Sequence, residues 1–292
     1  MQRISRTQMG NIYFPMPSYA EQKSIVIYLD SKCAEIDKVV EQTRATIEEY
    51  KKLKQAIITE AVTKGVRDPR LMKPSGVEWI GDIPEEWTRV KLKSLISHIE
   101  SGVSVNAGAS PAGEGEIGVL KTSCVSFGRF NPDENKSVNK EEIARVSCPV
   151  QQGCLIVSRM NTPELVGACG YVQEERMNIY LPDRLWQVHI FPDYSSKYIY
   201  YYLSSKITRS YYASIAVGTS SSMQNISQED FGCMYCTCPR YEEQQEIAAY
   251  LDTKCAEIDR IIEKKEQLIE ELGSYKKSLI YEYVTGKKEV TA

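Results

Sequence analysis

A long internal repeat constrains this chain more than any other feature. Residues 1 to 65 align without a gap on residues 223 to 287 at a constant offset of 222, and about 29 of the 65 positions are identical. Met1-Gln2, Ile4-Ser5, Gly10, Tyr13, Pro17 and Tyr19 recur as Met223-Gln224, Ile226-Ser227, Gly232, Tyr235, Pro239 and Tyr241. The densest block is Tyr28-Leu29-Asp30-x-Lys32-Cys33-Ala34-Glu35-Ile36-Asp37, which returns as Tyr250-Leu251-Asp252-x-Lys254-Cys255-Ala256-Glu257-Ile258-Asp259. The fold must therefore hold two similar segments on either side of one unrelated insert.

Each copy reads as a short strand, a proline-containing turn and a long proline-free helix, from about Ala20 to Lys64 and from about Glu242 to Thr285. With Leu29 at heptad position d, the d row is Leu29, Ile36, Thr43, Tyr50 and Ile57, and the a row is Cys33, Val40, Ile47, Lys54 and Ala61. In the second copy d holds Leu251, Ile258, Lys265, Leu272 and Leu279, and a holds Cys255, Ile262, Ile269, Lys276 and Tyr283. A helix of about 45 residues is roughly 65 Å long, and alone it would leave this apolar seam in water. Pairing the two copies as an antiparallel coiled coil gives the seam a partner. The residues expected to carry that pairing or a partner interface are Leu29, Ile36, Val40, Ile47, Tyr50 and Ile57 on one helix and Leu251, Ile258, Ile262, Ile269, Leu272 and Leu279 on the other. Periodicity by itself also permits two ordinary amphipathic helices, each packed on its own domain. The lysines Lys54, Lys265 and Lys276 weaken the stripe and blur its register.

The insert has a different texture. From Gly65 the segment GVRDPRLMKPSGVEWIGDIPEEW carries turn-forming glycines and prolines with Trp79 and Trp87, and reads as a linker over 66–87 that docks on the next domain. Between residues 88 and 240 short apolar runs of strand character, among them the one at Cys154 and the one at Gln187, alternate with polar turns. One tyrosine-rich helix begins near Ser195; its apolar residues surround most of its circumference, so its tyrosines are expected to pack against a sheet rather than stack on bases. The expected fold class is α+β: one mixed domain over 88–240, flanked by a first long helix over 19–65 and a second over 241–287, with a tail at 288–292.

Composition excludes several classes. Hydrophobic residues make up 42% and charged residues 26% of the 292-residue chain, which fits a folded protein rather than a disordered one. No run of about 18 apolar residues is available to span a membrane, and residues 1 to 17 lack the apolar core of a secretory signal, so a cytoplasmic location is expected. Nine cysteines in such a chain read as reduced thiols. The net charge of -3 gives no global basic signature.

The segment Ser75-Gly-Val-Glu-Trp-Ile-Gly-Asp-Ile-Pro-Glu-Glu-Trp, the later Gln224-Asn225-Ile226-Ser227, and Pro239-x-x-Glu242-x-Gln244-x-x-Ile247-x-x-Tyr250-Leu251-Asp252 resemble the specificity subunits of type I restriction-modification systems. The resemblance covers nearly the whole chain. It implies a mixed α+β target-recognition domain that reads one part of a two-part DNA site, and long helices that space such domains. It further implies an assembly of double-stranded DNA, methyltransferase subunits and restriction or motor subunits, with no membrane. Residues 1 to 18 match only the last strand and turn of a recognition domain, so the chain resembles a half subunit, for which a homodimer reading an interrupted palindrome is expected.

Enzymatic chemistry of the chain's own is not expected. It has no glycine-rich cofactor loop with a catalytic Asn-Pro-Pro-Tyr element and no Gly-x4-Gly-Lys-Ser/Thr loop, so S-adenosylmethionine, ATP and magnesium belong on partner subunits. Asp133, Glu134 and Lys136 lie too close together in sequence for a nuclease set. Cys233, Cys236 and Cys238 have Asn11, Phe14 and Met16 in the other repeat, and with His98 and His189 as the only histidines no metal is expected.

From Val77 to Ser222 there are 14 Lys and Arg against 16 Asp and Glu, a net of -2, so any grip on DNA must come from local geometry. The candidate contacts are Lys121, Thr122, Arg129, Ser158, Arg159, Asn161 and Thr162, then Thr219, Ser220 and Ser221 beside Gly218, and finally Gln224 and Asn225. Arg and Lys suit guanine, Asn and Gln suit adenine, and small hydroxyl residues suit phosphate. The rival reading is a coiled-coil assembly scaffold, or a silent specificity chain, without DNA readout.

Overall fold

The computed structural model describes residues 10, 15–126, 128–220 and 223–290. Ser221 and most of the expected 1–18 remnant lie outside the described residues. The chain divides into two compact units, one made of the chain up to Leu53 with the chain from Ala256 onward, the other Lys54–Cys255.

The first long helix, α1, spans Tyr19–Lys64. Its start is a capping box: the Ser18 hydroxyl accepts from the Glu21 backbone N–H, and the Glu21 carboxylate accepts from the Ser18 N–H at 2.9 Å. Its end falls at Gly65, whose φ of +82° an L side chain rarely adopts, and where a Cβ would meet the Arg70 guanidinium at 2.3 Å.

Strands then come in short pieces: β1 (Met72–Pro74), β2 (Asp82–Pro84), β3 (Thr88–Lys91), β4 (Ile96–Ser101), β5 (Gly118–Leu120), β6 (Asn135–Ser137), β7 (Pro149–Val150), β8 (Leu155–Ser158), β9 (Met160–Asn161), β10 (Cys169–Tyr171), β11 (Arg176–Tyr180) and β12 (Leu185–Ile190). After them come α2 (Ser196–Ser204), α3 (Lys206–Ile215), β13 (Val217–Ser220), β14 (Met223–Asn225), α4 (Gln228–Cys233), β15 (Tyr235–Cys238) and the second long helix α5 (Tyr241–Val284).

The Lys54–Cys255 unit is organised by the four-stranded sheet β10-β8-β12-β4. All four residues of β8 are buried, and alternate ones enter different cores. Leu155 and Val157 join the larger core with Trp87, Trp186 and Tyr198, whereas Ile156 joins a second core with Val125, Val150 and Leu185. A strand covered on both faces reads as a continuous apolar run, which is why Cys154 to Val157 shows no alternation in sequence. A second four-stranded sheet, β6-β5-β11-β7, contains one parallel pair, β5 with β11.

The segment 66–87 packs into the larger core through Val77, Ile80, Ile83 and Trp87. It is pinned by polar contacts as well: Trp87 Nε1 donates to Glu243 Oε2 at 3.0 Å, and Arg70 pairs with Glu243 at 2.7 Å. The C-terminal turns of α1 (Ile58, Ala61, Val62) and the N-terminal turns of α5 (Ile247, Ala248, Leu251) belong to the same core. The compact units therefore divide both long helices partway along, rather than at the ends of secondary structure.

The tyrosine-rich helix differs from expectation: it is two helices, broken at Ser205. That residue ends α2 and caps α3, its hydroxyl accepting from the Thr208 N–H. Tyr198, Tyr202 and Tyr212 are buried. Their hydroxyls are spent inside, Tyr198 against Thr237 Oγ1 at 2.7 Å, Tyr202 on the Tyr235 carbonyl and Tyr212 on the Phe231 carbonyl. Burial drives these phenols well above their ordinary range.

In the other unit the helices pair antiparallel. Leu29, Ile36 and Leu279 form one buried cluster, with Tyr28, Val40, Leu272 and Tyr283 packed on it, and Thr43, Ile47 and Ile258 are buried further along the stripe. The order of contacts fixes the direction: Tyr28 meets Tyr283, Asp37 meets Lys276, and Tyr50 lies under Lys265, so one number rises as the other falls. Every a and d residue of both stripes is buried or half-buried. The lysines fit without breaking the seam. Lys276 Nζ reaches the Asp37 carboxylate at 2.6 Å, and Lys265 covers the Tyr50 ring.

Candidate nucleic-acid interface

The candidate contacts come from three stretches of sequence, and pairing within the Lys54–Cys255 unit gathers several of them. β9, β14 and β13 form one small sheet in which Gln224 lies opposite Asn161, Asn225 opposite Met160, and Val217 opposite Asn225. The backbones of Thr219 and Ser220 lie in β13 of the same sheet. Gly218 has a structural reason to be glycine, since a Cβ there would sit 2.1 Å from the Met223 carbonyl oxygen. Its lack of a side chain lets two strands approach closely.

A second group surrounds an open cleft of about 400 Å³ whose lining includes Asn106, Lys121, Thr122, Lys136, Asp183 and Arg184. Lys121 Nζ lies 3.7 Å from Glu134, whose carboxylate also accepts from the Ser123 hydroxyl at 2.5 Å. The side chains of Lys136 and Arg184 are exposed and make no ion pair among the described residues. A near-neutral domain thus carries a local excess of cations, three against the single carboxylate Asp183 in the lining.

Arg159 connects the two groups through its backbone. Its N–H donates to the Arg184 carbonyl at 3.1 Å, and its own carbonyl accepts from the Ile226 N–H at 3.0 Å. Its guanidinium lies 6.0 Å from the centre of the Trp186 ring, and its Nε is buried without a hydrogen-bond partner. Arg129 is exposed in the turn after Gly128, and Thr122 begins a short 3-10 helix.

Three candidates change their meaning. Ser158 is fully buried, and its hydroxyl accepts from the Asn161 amide at 3.2 Å, so it has no surface to offer. It ends a strand that runs between two cores, and the local sequence Ser-Arg-Met-Asn-Thr reads as a loop one residue too early. Asn161 and Thr162 are half-buried and partly engaged: Asn161 Oδ1 accepts from the Thr162 N–H, and Thr162 hydrogen-bonds the Glu164 carboxylate, which is held below its usual range by its own backbone and by that bond.

Sequence reasoning passed over Lys136, Arg184 and Asn106. Nothing in their neighbourhoods marks them. Lys136 and Arg184 meet Lys121 because β5 pairs with β6 on one side and with β11, which leads to Arg184, on the other, while Asn106 is brought in by its carbonyl accepting from the Asn139 N–H; such long-range pairing has no local signature. The seam residues face inward. Leu29, Ile36 and Leu279 are buried, Val40 and Leu272 are packed on them, and Ile47, Tyr50, Ile258, Ile262 and Ile269 lie along the same stripe, while Ile57 and Leu251 belong to the core of the other unit. Any partner that docks on the helices must use other residues, such as Leu268, Tyr275 and Tyr281, which are exposed.

Residues 84–271 match the family described as the type I restriction modification DNA specificity domain, and the chain belongs to that family. It is 24% identical over 285 residues to the specificity subunit of the type I restriction enzyme EcoKI of Escherichia coli strain K12, a match covering 96% of this chain and 58% of that one. It is 26% identical over 290 residues to the specificity subunit of the type I restriction enzyme MjaVIII of Methanocaldococcus jannaschii, covering 98% of this chain and 64% of that one. A chain solved in work on complex assembly and conformational transition of the type I R-M system superposes with a TM-score of 0.69 at 16% identity, over 98% of this chain and 64% of that one, a likeness of fold. The chain thus spans less than two thirds of the length of these relatives. No described helix is long and apolar enough to cross a membrane.

Proposed function

We propose that this chain is the DNA sequence-specificity subunit of a type I restriction-modification complex, non-catalytic by itself, and that the Lys54–Cys255 unit reads one part of a bipartite site. The observation that carries the reading is the cationic cleft of Lys121, Lys136 and Arg184, joined through the Arg159 backbone to the small sheet in which Asn161 and Gln224 stand opposite each other. Cations that can hold phosphate beside amides that can read adenine edges are the two parts that sequence-selective binding requires.

The paired helices act as a scaffold and spacer for methyltransferase and restriction subunits, and those partners carry S-adenosylmethionine, ATP and magnesium. The near-neutral balance of the reading unit fits this division of labour, because partner subunits would then supply most of the sequence-independent attraction to DNA.

Co-expression with the methyltransferase subunit of its own system, followed by mapping of modified adenines in host DNA, tests the reading. A single interrupted motif is expected. Its symmetry reports the stoichiometry: two copies of this chain read an interrupted palindrome, and a different second recognition unit reads unlike halves. A stable complex that methylates no motif would replace this proposal with that of a silent scaffold.

A further inference from the structure

The two histidines of the chain lie 91 positions apart in sequence, yet the fold places them side by side. β12 pairs antiparallel with β4 so that His189 stands opposite His98 and Gln187 opposite Glu100. Side chains of a strand alternate between faces, so all four residues share the face of the sheet that carries Ile156 and Leu185. The imidazole rings are stacked with centroids 4.0 Å apart and 12° between their planes. Donor atoms of His98, Glu100 and His189 all lie within 4.8 Å of one another.

We propose that His98, Glu100 and His189 form a binding site for a divalent transition metal of the zinc class. Two imidazoles and one carboxylate are a donor set that such ions take, with water completing the shell. The atoms around the three residues orient them for this task. Ser97 Oγ lies 2.9 Å from His98 Nδ1, and Cys154 Sγ lies 3.3 Å from His189 Nδ1 and 3.8 Å from its Nε2, so each ring has a polar neighbour that holds its orientation. His189 Nε2 already meets Glu100 Oε2 at 2.7 Å, and that oxygen also accepts from the buried Gln187 amide at 3.1 Å. Hydrogen bonds behind the ligands are what hold ring orientation in metal sites.

The donor atoms need a small contraction, since ligands at about 2.0–2.2 Å from one ion lie closer together than 4.8 Å. The exposed side chain of His98 can supply it by rotation. β4 is the edge strand of its sheet, beside β12, so an ion held there would fasten that edge. The role inferred is structural, and it is independent of the DNA-reading proposal.

The test uses the full, tag-free chain freed of metal by chelation and dialysis. Zinc chloride titrated by calorimetry should bind with one ion per chain at this site, and the thermal midpoint should rise with zinc concentration. Cobalt in place of zinc should show d–d absorption without a thiolate charge-transfer band. His98→Ala, at an exposed position, and Glu100→Gln should each weaken zinc binding by more than about 100-fold, beyond the 10–100-fold that loss of an outer hydrogen bond costs. Cys154→Ser should fall within that smaller range. Zinc affinity unchanged in His98→Ala, or no zinc-dependent shift of the native chain, would overturn the site. A thiolate–cobalt band that disappears in Cys154→Ser would overturn the three-ligand assignment.

Discussion

The paired helices and the Lys54–Cys255 unit are held together by opposite means. The helices repeat one kind of contact along a stripe with a period of seven, and their buried residues are few and spread along it: the cluster of Leu29, Ile36 and Leu279, and separately Thr43, Ile47 and Ile258. The other unit gathers Trp87, Trp186, Tyr198, Tyr212 and Phe231 from distant parts of the sequence into one nearly dry core. The first arrangement is specified locally and carries little redundancy at each layer. The second depends on long-range pairings, such as Gln187 with Glu100 across 87 positions, and spreads its stability over many residues.

The largest effect should come from charge placed in the thin seam. Ile36→Asp combined with Leu279→Asp puts two carboxylates into the small buried cluster of that unit, at a cost above about 5 kcal/mol. Helical pairing should be lost, seen as a drop in helical circular dichroism, while the near-ultraviolet signal of Trp87 and Trp186 persists. Ile262→Asp with Ile269→Asp, at half-buried seam positions, should act the same way more weakly and disrupt methyltransferase assembly. Loss of the tryptophan signal along with the helices would mean that the two units do not fold separately.

This contrast also explains what is legible in the sequence. Both long helices and their a and d rows can be read because a coiled coil writes its contacts into nearest-neighbour spacing; even Lys265 and Lys276, which interrupt the apolar stripe, find partners in Tyr50 and Asp37. The candidate interface is only half legible. Gln224 and Asn161 are found because amides between turn residues stand out, but their alignment in one sheet is not. Lys136 and Arg184 are ordinary surface cations until β6 pairs with β5, and β5 with the β11 strand that leads to Arg184, and His98 and His189 look isolated until β4 pairs with β12. Ser158 misleads because a polar residue at the end of a doubly buried strand is indistinguishable from the first residue of a loop.

Next in size is the polar tie inside the larger unit. The Arg70 and Glu243 side chains are only 9% and 6% exposed, and Glu243 also accepts from Trp87. Glu243→Ala leaves a buried guanidinium without that partner, and unfolding by urea should report a loss of about 3–5 kcal/mol. A loss below about 1 kcal/mol would show that water or Glu86 takes over the contact.

Smaller effects should appear in DNA binding, and they separate the two halves of the candidate interface. Arg184→Ala and Lys136→Ala should weaken binding of the assembled complex to all sequences alike and lower the salt slope by about 1 each. Gln224→Ala should leave the slope unchanged and relax one base of the methylated motif, by about 1–3 kcal/mol of discrimination. If Gln224→Ala changed only the slope, the small sheet would be a phosphate contact and the reading of bases would have to move elsewhere.

The smallest effect belongs to the Lys276–Asp37 ion pair of the seam. Lys276 Nζ is 2.6 and 2.7 Å from the two oxygens of Asp37, yet the lysine is 29% and the aspartate 63% exposed. A hydrogen bond to Asp37 raises the lysine's affinity for its proton, but water screens both groups in competition with that bond. Lys276→Met keeps the aliphatic stem that lies in the seam and deletes the charge. It should change the stability of the helical pair only slightly, with the difference shrinking as salt rises. Comparing it with Glu243→Ala tests burial, because the two pairs close at nearly the same distance, 2.6 and 2.7 Å, and differ widely in exposure. A double-mutant cycle with Asp37→Asn that returned several kcal/mol of coupling would mean the seam around Asp37 is drier than its exposure implies, and that the helices are held by charge as much as by their apolar stripe.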